Sequence, residues 1–134
     1  MPVEKSENMP VRSSDDVVRA RQAVRKHAIA AGFSLVEQTK IVTAASEIAR
    51  NTVDHGGGGT LRIEVLREGP RRGVRLTFVD QGPGIADISQ ALADGYTSAG
   101  GMGLGLGGAR RLSNEFEITS TPGRGTVVTL GRWI

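Results

Sequence analysis

The sequence predicts an α+β domain built as a two-layer α/β sandwich, with helices on one face of a mixed, mostly antiparallel sheet. Three observations predict it. Helical periodicity is grouped at the front of the chain, over roughly residues 14–54. Alternating strand periodicity follows in pairs. Each pair is joined by a Gly/Pro turn rather than by a helix, which favours hairpins over parallel crossover units.

The elements follow in order. Residues 1–8 are polar and read as a flexible N-terminal tail, with a short edge strand from Met9 to Ser13 and one domain taking up 9–134. The first helix starts near Ser14-Asp15-Asp16, where side-chain oxygens can accept free amides and complement the helix dipole. Val17, Ala20, Val24, Ala28 and Ala31 give it an apolar face, and Gly32 stops it. Ser34-Leu-Val-Glu37 is a capping-box pattern that opens a second helix. Val36, Ile41, Ala44, Ala45, Ile48 and Thr52 continue its apolar face until the glycine run 56–59. Leu61, Ile63 and Val65 then alternate with polar neighbours, as do Val74, Leu76 and Phe78, with a turn over 68–73 between them. A short helix over Asp87–Ala93, a flexible segment 94–104 and a helix from Leu106 to Ser113 come next, before strands 115–121 and 125–133.

Composition bounds the function. The 134 residues are 38% hydrophobic and 23% charged, enough for one aliphatic core with five aromatics, Phe33, Phe78, Tyr96, Phe116 and Trp133. Without cysteine there is no disulfide framework, thiolate zinc site or cysteine nucleophile, in keeping with a reducing cytosol. No apolar run approaches the ~18 residues of a membrane span, so the expected location is cytoplasmic with no membrane partner. The net charge of +3 is spread thinly, with arginines gathered at 19, 21 and 25 and at 67, 71, 72 and 75. These could face an acidic partner or simply water. No row of exposed aromatics accompanies them, and no nucleic-acid partner is expected. His27 is expected on the solvated side of the first helix and His55 at the end of the second, neither as a metal ligand.

Three constellations carry chemistry. Glu47 and Asn51, four apart on the second helix, project from one face with Asp54 beyond them. Together they offer a proton acceptor and a carbonyl oxygen for a hard cation such as Mg²⁺, or merely a polar stripe. Asp80-Gln-Gly82-Pro-Gly84 ends an apolar strand, so a carboxylate there could meet a ligand amine while the backbone comes close. An ordinary turn is the alternative. The third is the glycine-rich stretch from Gly100 to Gly108, running into a helix start, where successive N–H groups can meet phosphate oxygens. Nine of the 19 glycines lie between Gly82 and Gly108. Met102, Leu104 and Leu106, interleaved among them, argue against a plain linker. Gly103-x-Gly105-x-x-Gly108 matches a dinucleotide fingerprint by spacing, but it follows no strand and has no acidic residue some twenty positions on.

Taken in order, Glu47-x-x-x-Asn51, Asp80-x-Gly82-x-Gly84 and Gly101-x-Gly103-x-Gly105 resemble the N, G1 and G2 boxes of the GHKL ATPase/kinase superfamily. The flanks Glu47-Ile-Ala-Arg-Asn51, Gly95-Tyr-Thr-Ser-Ala-Gly-Gly101 and Arg110-Arg-Leu-Ser-Asn-Glu-Phe116 are similar to those of anti-sigma-factor serine/threonine kinases, especially the RsbT-type switch kinases. The resemblance covers about residues 11–134. It implies a Bergerat fold that binds ATP and Mg²⁺. By position it makes Glu47 the base for an acceptor hydroxyl, Asn51 the magnesium ligand and Asp80 the adenine reader. Gly82 and Gly84 become close-approach backbone, and Gly101, Gly103 and Gly105, with Met102 and Leu104 between them, a nucleotide-contacting lid with Thr97 and Ser98 as additional contacts. The implied function is phosphorylation of a STAS-domain antagonist or scaffold protein in a partner-switching stress module, with activation of a PP2C-type phosphatase. The alternatives are an anti-sigma factor that holds a sigma factor, or a nucleotide-dependent binding module with little catalysis. No dimerising helical hairpin with an acceptor histidine is present, so a histidine kinase is not expected.

Overall fold

The computed structural model describes residues 3–85, 88, 92 and 105–134. Among the described residues eight elements follow one another: β1 (Val3–Val11), α1 (Ser14–Ala30), α2 (Leu35–Asp54), β2 (Gly59–Glu68), β3 (Arg71–Asp80), α3 (Gly105–Arg111), β4 (Glu115–Thr121) and β5 (Gly125–Trp133). The five strands form one sheet in the order β1-β2-β3-β5-β4. Every pairing among them is antiparallel. This is the expected α+β sandwich. Two successive helices between β1 and β2 return the chain to the end where it started, so β2 can lie antiparallel beside β1.

Register explains the single core. Met9, Leu61, Phe78, Val128 and Ile118 face one another across the sheet, and Ile63, Leu76, Leu130 and Phe116 form the next row. Alternation puts all of these on one face, where Leu61, Ile63, Leu76 and Leu130 are fully buried. Val17, Ala20, Val24 and Ala28 of α1 and Ile41, Ala44, Ala45 and Ile48 of α2 belong to the same buried cluster.

The local signals act as their chemistry predicts, with instructive exceptions. Ser13 caps α1 by accepting from Asp16 N at 3.2 Å. Gly32 ends that helix at φ 89°, its N–H reaching Ile29 O and that of Phe33 reaching Ala28 O, both at 3.0 Å. Ser34 caps α2 by accepting from Glu37 N at 3.3 Å. The Glu37 carboxylate does not close the box; it binds the Arg132 guanidinium on β5. That arginine holds the Glu37 carboxyl below the usual carboxylate range, outweighing the opposing effect of partial burial.

Four expectations are corrected. Residues 3–8 are not a tail: β1 starts at Val3 and pairs with β2 from Leu66 to Gly59. An edge strand needs backbone partners, not apolar side chains, so its polar sequence concealed it. The turn between β2 and β3 is tighter than 68–73, because Gly69 supplies φ 59° for a two-residue loop and Arg71 already belongs to β3. His27 is not solvated; it is 8% exposed, and its Nε2 lies 2.8 Å from Glu7 Oε1 on β1. Val36 is 62% exposed, since the first turn of α2 lies outside the buried cluster. Of the expected helix 87–93, Ile88 and Leu92 are described, joined by Leu92 N donating to Ile88 O at 2.9 Å.

Candidate active site

The site starts from the rotation of α2. Ile48 and Thr52 are buried, and Thr52 Oγ1 satisfies itself on Ile48 O at 2.9 Å. With that stripe turned inward, Glu47 and Asn51, one position earlier in each turn, sit half-buried beside it, and Asp54 is exposed. α2 ends by folding back on itself. His55 N and Gly56 N both donate to Asn51 O, at 2.9 and 3.3 Å, and Gly58 N donates to Thr52 O at 2.9 Å. This brings Gly56 to the end of β3.

Asp80 is waiting there. It closes the central strand of the sheet, opposite Gly59 on β2 and Thr126 on β5. A Cβ at Gly56 would lie 2.7 Å from Asp80 Oδ2, and one at Gly82 would lie 2.6 Å from Gly56 Cα. Both positions therefore require glycine for the carboxylate to sit at the end of the helix that carries Glu47 and Asn51. Asp80 Oδ1 accepts from Gly82 N at 2.9 Å. The loop beyond is clamped by the β4–β5 hairpin. Gly84, at φ 79°, backs onto Thr121 O, Ile85 N donates to Ser120 Oγ at 2.7 Å, and Gly123 N donates to Pro83 O at 2.7 Å.

The glycine-rich stretch joins the site through its end. Gly105 opens α3 at φ 55°, and residues 105–109 are buried where α3 packs on α2. Thus Asp80 and Gly82 meet the end of the Glu47/Asn51 helix directly. Gly84 lies one step further, against the β4–β5 turn, and Gly105 is held next to the same helix. Thr97, Ser98, Gly101, Met102, Gly103 and Leu104 lie outside the described residues.

Three residues of the site escaped sequence reasoning. Gly56 reads in the sequence only as part of a helix stop. Ser120 and Thr126 form a hydroxyl pair, 2.8 Å apart, beside the Asp80 loop, with Ser120 Oγ also 3.2 Å from Gly125 O. Thr126 is 8% exposed and shares the inward side of β5 with Val128 and Leu130. A hydroxyl at the head of an inward apolar row was the available signal.

A family model described as histidine kinase-, DNA gyrase B- and HSP90-like ATPase matches residues 36–133. The serine/threonine-protein kinase RsbT of Bacillus subtilis (strain 168) is 41% identical over 119 residues, covering 89% of this chain and 90% of RsbT. An anti-sigma F factor of Thermoanaerobacter sp. (strain X514) is 30% identical over 121 residues, 86% of this chain and 83% of the relative. Among solved structures, the RsbU and RsbW domains of a Mycobacterium tuberculosis protein superpose with a TM-score of 0.66 at 22% identity, over 96% of this chain and 31% of that one, a likeness of fold. The chain belongs to the histidine kinase-, DNA gyrase B- and HSP90-like ATPase family, the GHKL superfamily. Within it, this is an ATP-using protein-serine/threonine kinase of the group that includes RsbT and the anti-sigma F factors.

Proposed function

We propose that this kinase transfers the γ-phosphoryl group of ATP to a serine or threonine of a STAS-domain antagonist or scaffold protein in a partner-switching module, and that its release activates a PP2C-type phosphatase. The observation that carries the reading is the Asp80 carboxylate seated on Gly56, at the end of the helix bearing Glu47 and Asn51. With Oδ1 engaged by its own turn, Oδ2 would accept from the exocyclic amine of adenine. Gly56 and Gly82, where a Cβ would collide with Asp80 and with the Gly56 backbone, let the carboxylate sit in that place.

The donor set fits Mg²⁺. No group of three His, Cys, Asp or Glu that could hold a metal occurs among the described residues. A cation here would therefore rely on one or two protein oxygens together with phosphate oxygens and water, which is the habit of Mg²⁺ rather than of Zn²⁺ or Ca²⁺. Held by Asn51 and the phosphates, it would neutralise charge on the transferring group. Glu47 would orient the acceptor hydroxyl and take its proton as the new Oγ–P bond forms and the bond from the γ-phosphorus to the β–γ bridging oxygen breaks, leaving ADP. The glycine stretch Gly101–Gly105, with Met102, Leu104, Thr97 and Ser98, is the proposed lid on the phosphates. The proposed location is the cytoplasm.

Radiolabelled ATP with candidate STAS-domain proteins, run with and without Mg²⁺, tests this. Label on a serine or threonine that requires Mg²⁺ is expected, and absence of transfer to every STAS protein tried would remove the substrate assignment. The likeness to anti-sigma F factors supports a second reading, in which the chain holds a sigma factor. A pull-down of sigma factors with and without ADP separates the two.

A further inference from the structure

The α1–α2 pair carries a groove of about 440 Å³ lined by residues of both helices. Val18 and Ile29 of α1 and Val42 of α2 form its apolar lining; Arg21, Arg25 and Lys26 supply its charge. Val18, Arg25 and Ile29 fall on one stripe of α1, spaced i, i+7 and i+11. Leu35 stands seven residues before Val42 and extends the α2 side in the same direction. Val18, Ile29 and Leu35 are 48%, 57% and 71% exposed. Scattered aliphatics on a surface need no explanation, but Val18 and Ile29 line one concavity with Val42.

The charge is one-sided. From Val17 to Ala30 the chain has Arg19, Arg21, Arg25 and Lys26 and no carboxylate. Two of the neighbouring acids are engaged elsewhere, Asp16 with Arg19 at 2.7 Å and Glu37 with Arg132, which leaves Asp15 at one end against Arg21, Arg25 and Lys26. Arg25 reaches across to Gln38 Oε1 at 3.5 Å, an uncharged partner that leaves its charge uncompensated. An aliphatic floor between two helices, rimmed by uncompensated cations, complements a rod with an apolar stripe and flanking carboxylates. A bilayer would meet ridges rather than the concavity. Duplex nucleic acid would find no use for the aliphatic floor.

We infer that the α1–α2 groove is a docking site for an acidic amphipathic helix of a partner protein. The helix seats its apolar side on Val18, Ile29 and Val42 and sets aspartates or glutamates against Arg21, Arg25 and Lys26. The inference does not rest on the nucleotide reading, since none of these residues belongs to that site.

The test uses the whole chain, ¹⁵N-labelled, and a helix-forming peptide with leucines at i, i+3, i+4 and i+7 and glutamates between them, beside the version with lysines for glutamates. The acidic peptide is expected to bind at least tenfold more tightly and to shift amide signals over 18–29 and 35–42. Binding should fall about tenfold in the double variant Arg21→Glu/Arg25→Glu and several-fold in Val18→Ser, with ATP affinity unchanged in both. These positions are exposed or half-buried, so the variants should fold, as intact spectra will show. Equal binding of the two peptides, no binding of either, shifts confined to the Asp80 face, or capture only of phosphatidylserine vesicles or duplex DNA would each overturn it.

Discussion

At the scale of single residues, the site depends on what glycine permits and on what two carboxylates are asked to do. Glu47→Gln removes a proton acceptor while keeping its size, so phosphorylation should drop about 10²–10⁴-fold with ATP affinity retained; single-turnover transfer and nucleotide titration together check this. Unchanged transfer would remove Glu47 as the base. On the proposed adenine contact, Asp80→Ala would delete a charge-assisted hydrogen bond of roughly 1.5–3 kcal/mol, and ATP should bind about tenfold to a hundredfold more weakly. Calorimetric titration measures it. Gly56 gives the sharpest contrast with its neighbour. Its added methyl would press on the Asp80 carboxylate, costing about 1–3 kcal/mol of stability and displacing the group proposed to meet adenine. Gly57→Ala meets nothing within 4 Å, although its φ of 72° is strained for alanine. Gly56→Ala should therefore lose both stability and nucleotide affinity, and Gly57→Ala stability alone, as melting curves with and without ATP will show.

At the scale of elements, both helices are fastened to the sheet by polar pairs as well as by their apolar faces. His27 of α1 meets Glu7 of β1, and Glu37 of α2 meets Arg132 of β5. The second pair is hydrogen-bonded and mostly shielded, with 13% and 25% of the two side chains exposed. Breaking it by Glu37→Gln should cost about 1–2 kcal/mol, between the values of surface and fully buried pairs. Because folding holds the Glu37 carboxyl lower than in the unfolded chain, the unfolded state takes up its proton first as pH falls. The contribution is thus full above the ordinary carboxylate range and is lost as pH drops through the folded value. Denaturation at pH 7 and pH 3 should show wild type losing more stability on acidification than Glu37→Gln; equal losses would mean the pair contributes nothing.

At the scale of the whole molecule, ATP bound at the proposed site would bridge elements distant in the chain, so it should stabilise all of them together. At about a hundred times its dissociation constant the ligand adds about 2.7 kcal/mol, a rise of roughly 10 °C in melting temperature for a domain of this size. Asp80→Ala should shrink that rise at the same ATP concentration, and should also lower the melting temperature without nucleotide by a few degrees, because the Gly82 N–H loses its acceptor. Much of this was legible locally. The cap at Ser34, the closing strands 115–121 and 125–133, and the order of the three motifs rest on short-range chemistry: a side-chain oxygen near free amides, period-two alternation and turn glycines. What lay hidden depends on partners far along the chain. Nothing in 3–8 announces a strand until β2 offers its edge. Nothing at His27 announces burial until Glu7 arrives from β1, and Glu37 satisfies a capping pattern yet spends its carboxylate on Arg132. Gly56 looks like a helix stop until Asp80 is laid against it. The sequence by itself determined which elements form and which residue types could handle a nucleotide, because those depend on neighbours a few positions away. Only the tertiary structure decided which side chains meet, because the packing of two helices on one antiparallel sheet, not spacing, carries Asp80 to the end of the Glu47/Asn51 helix.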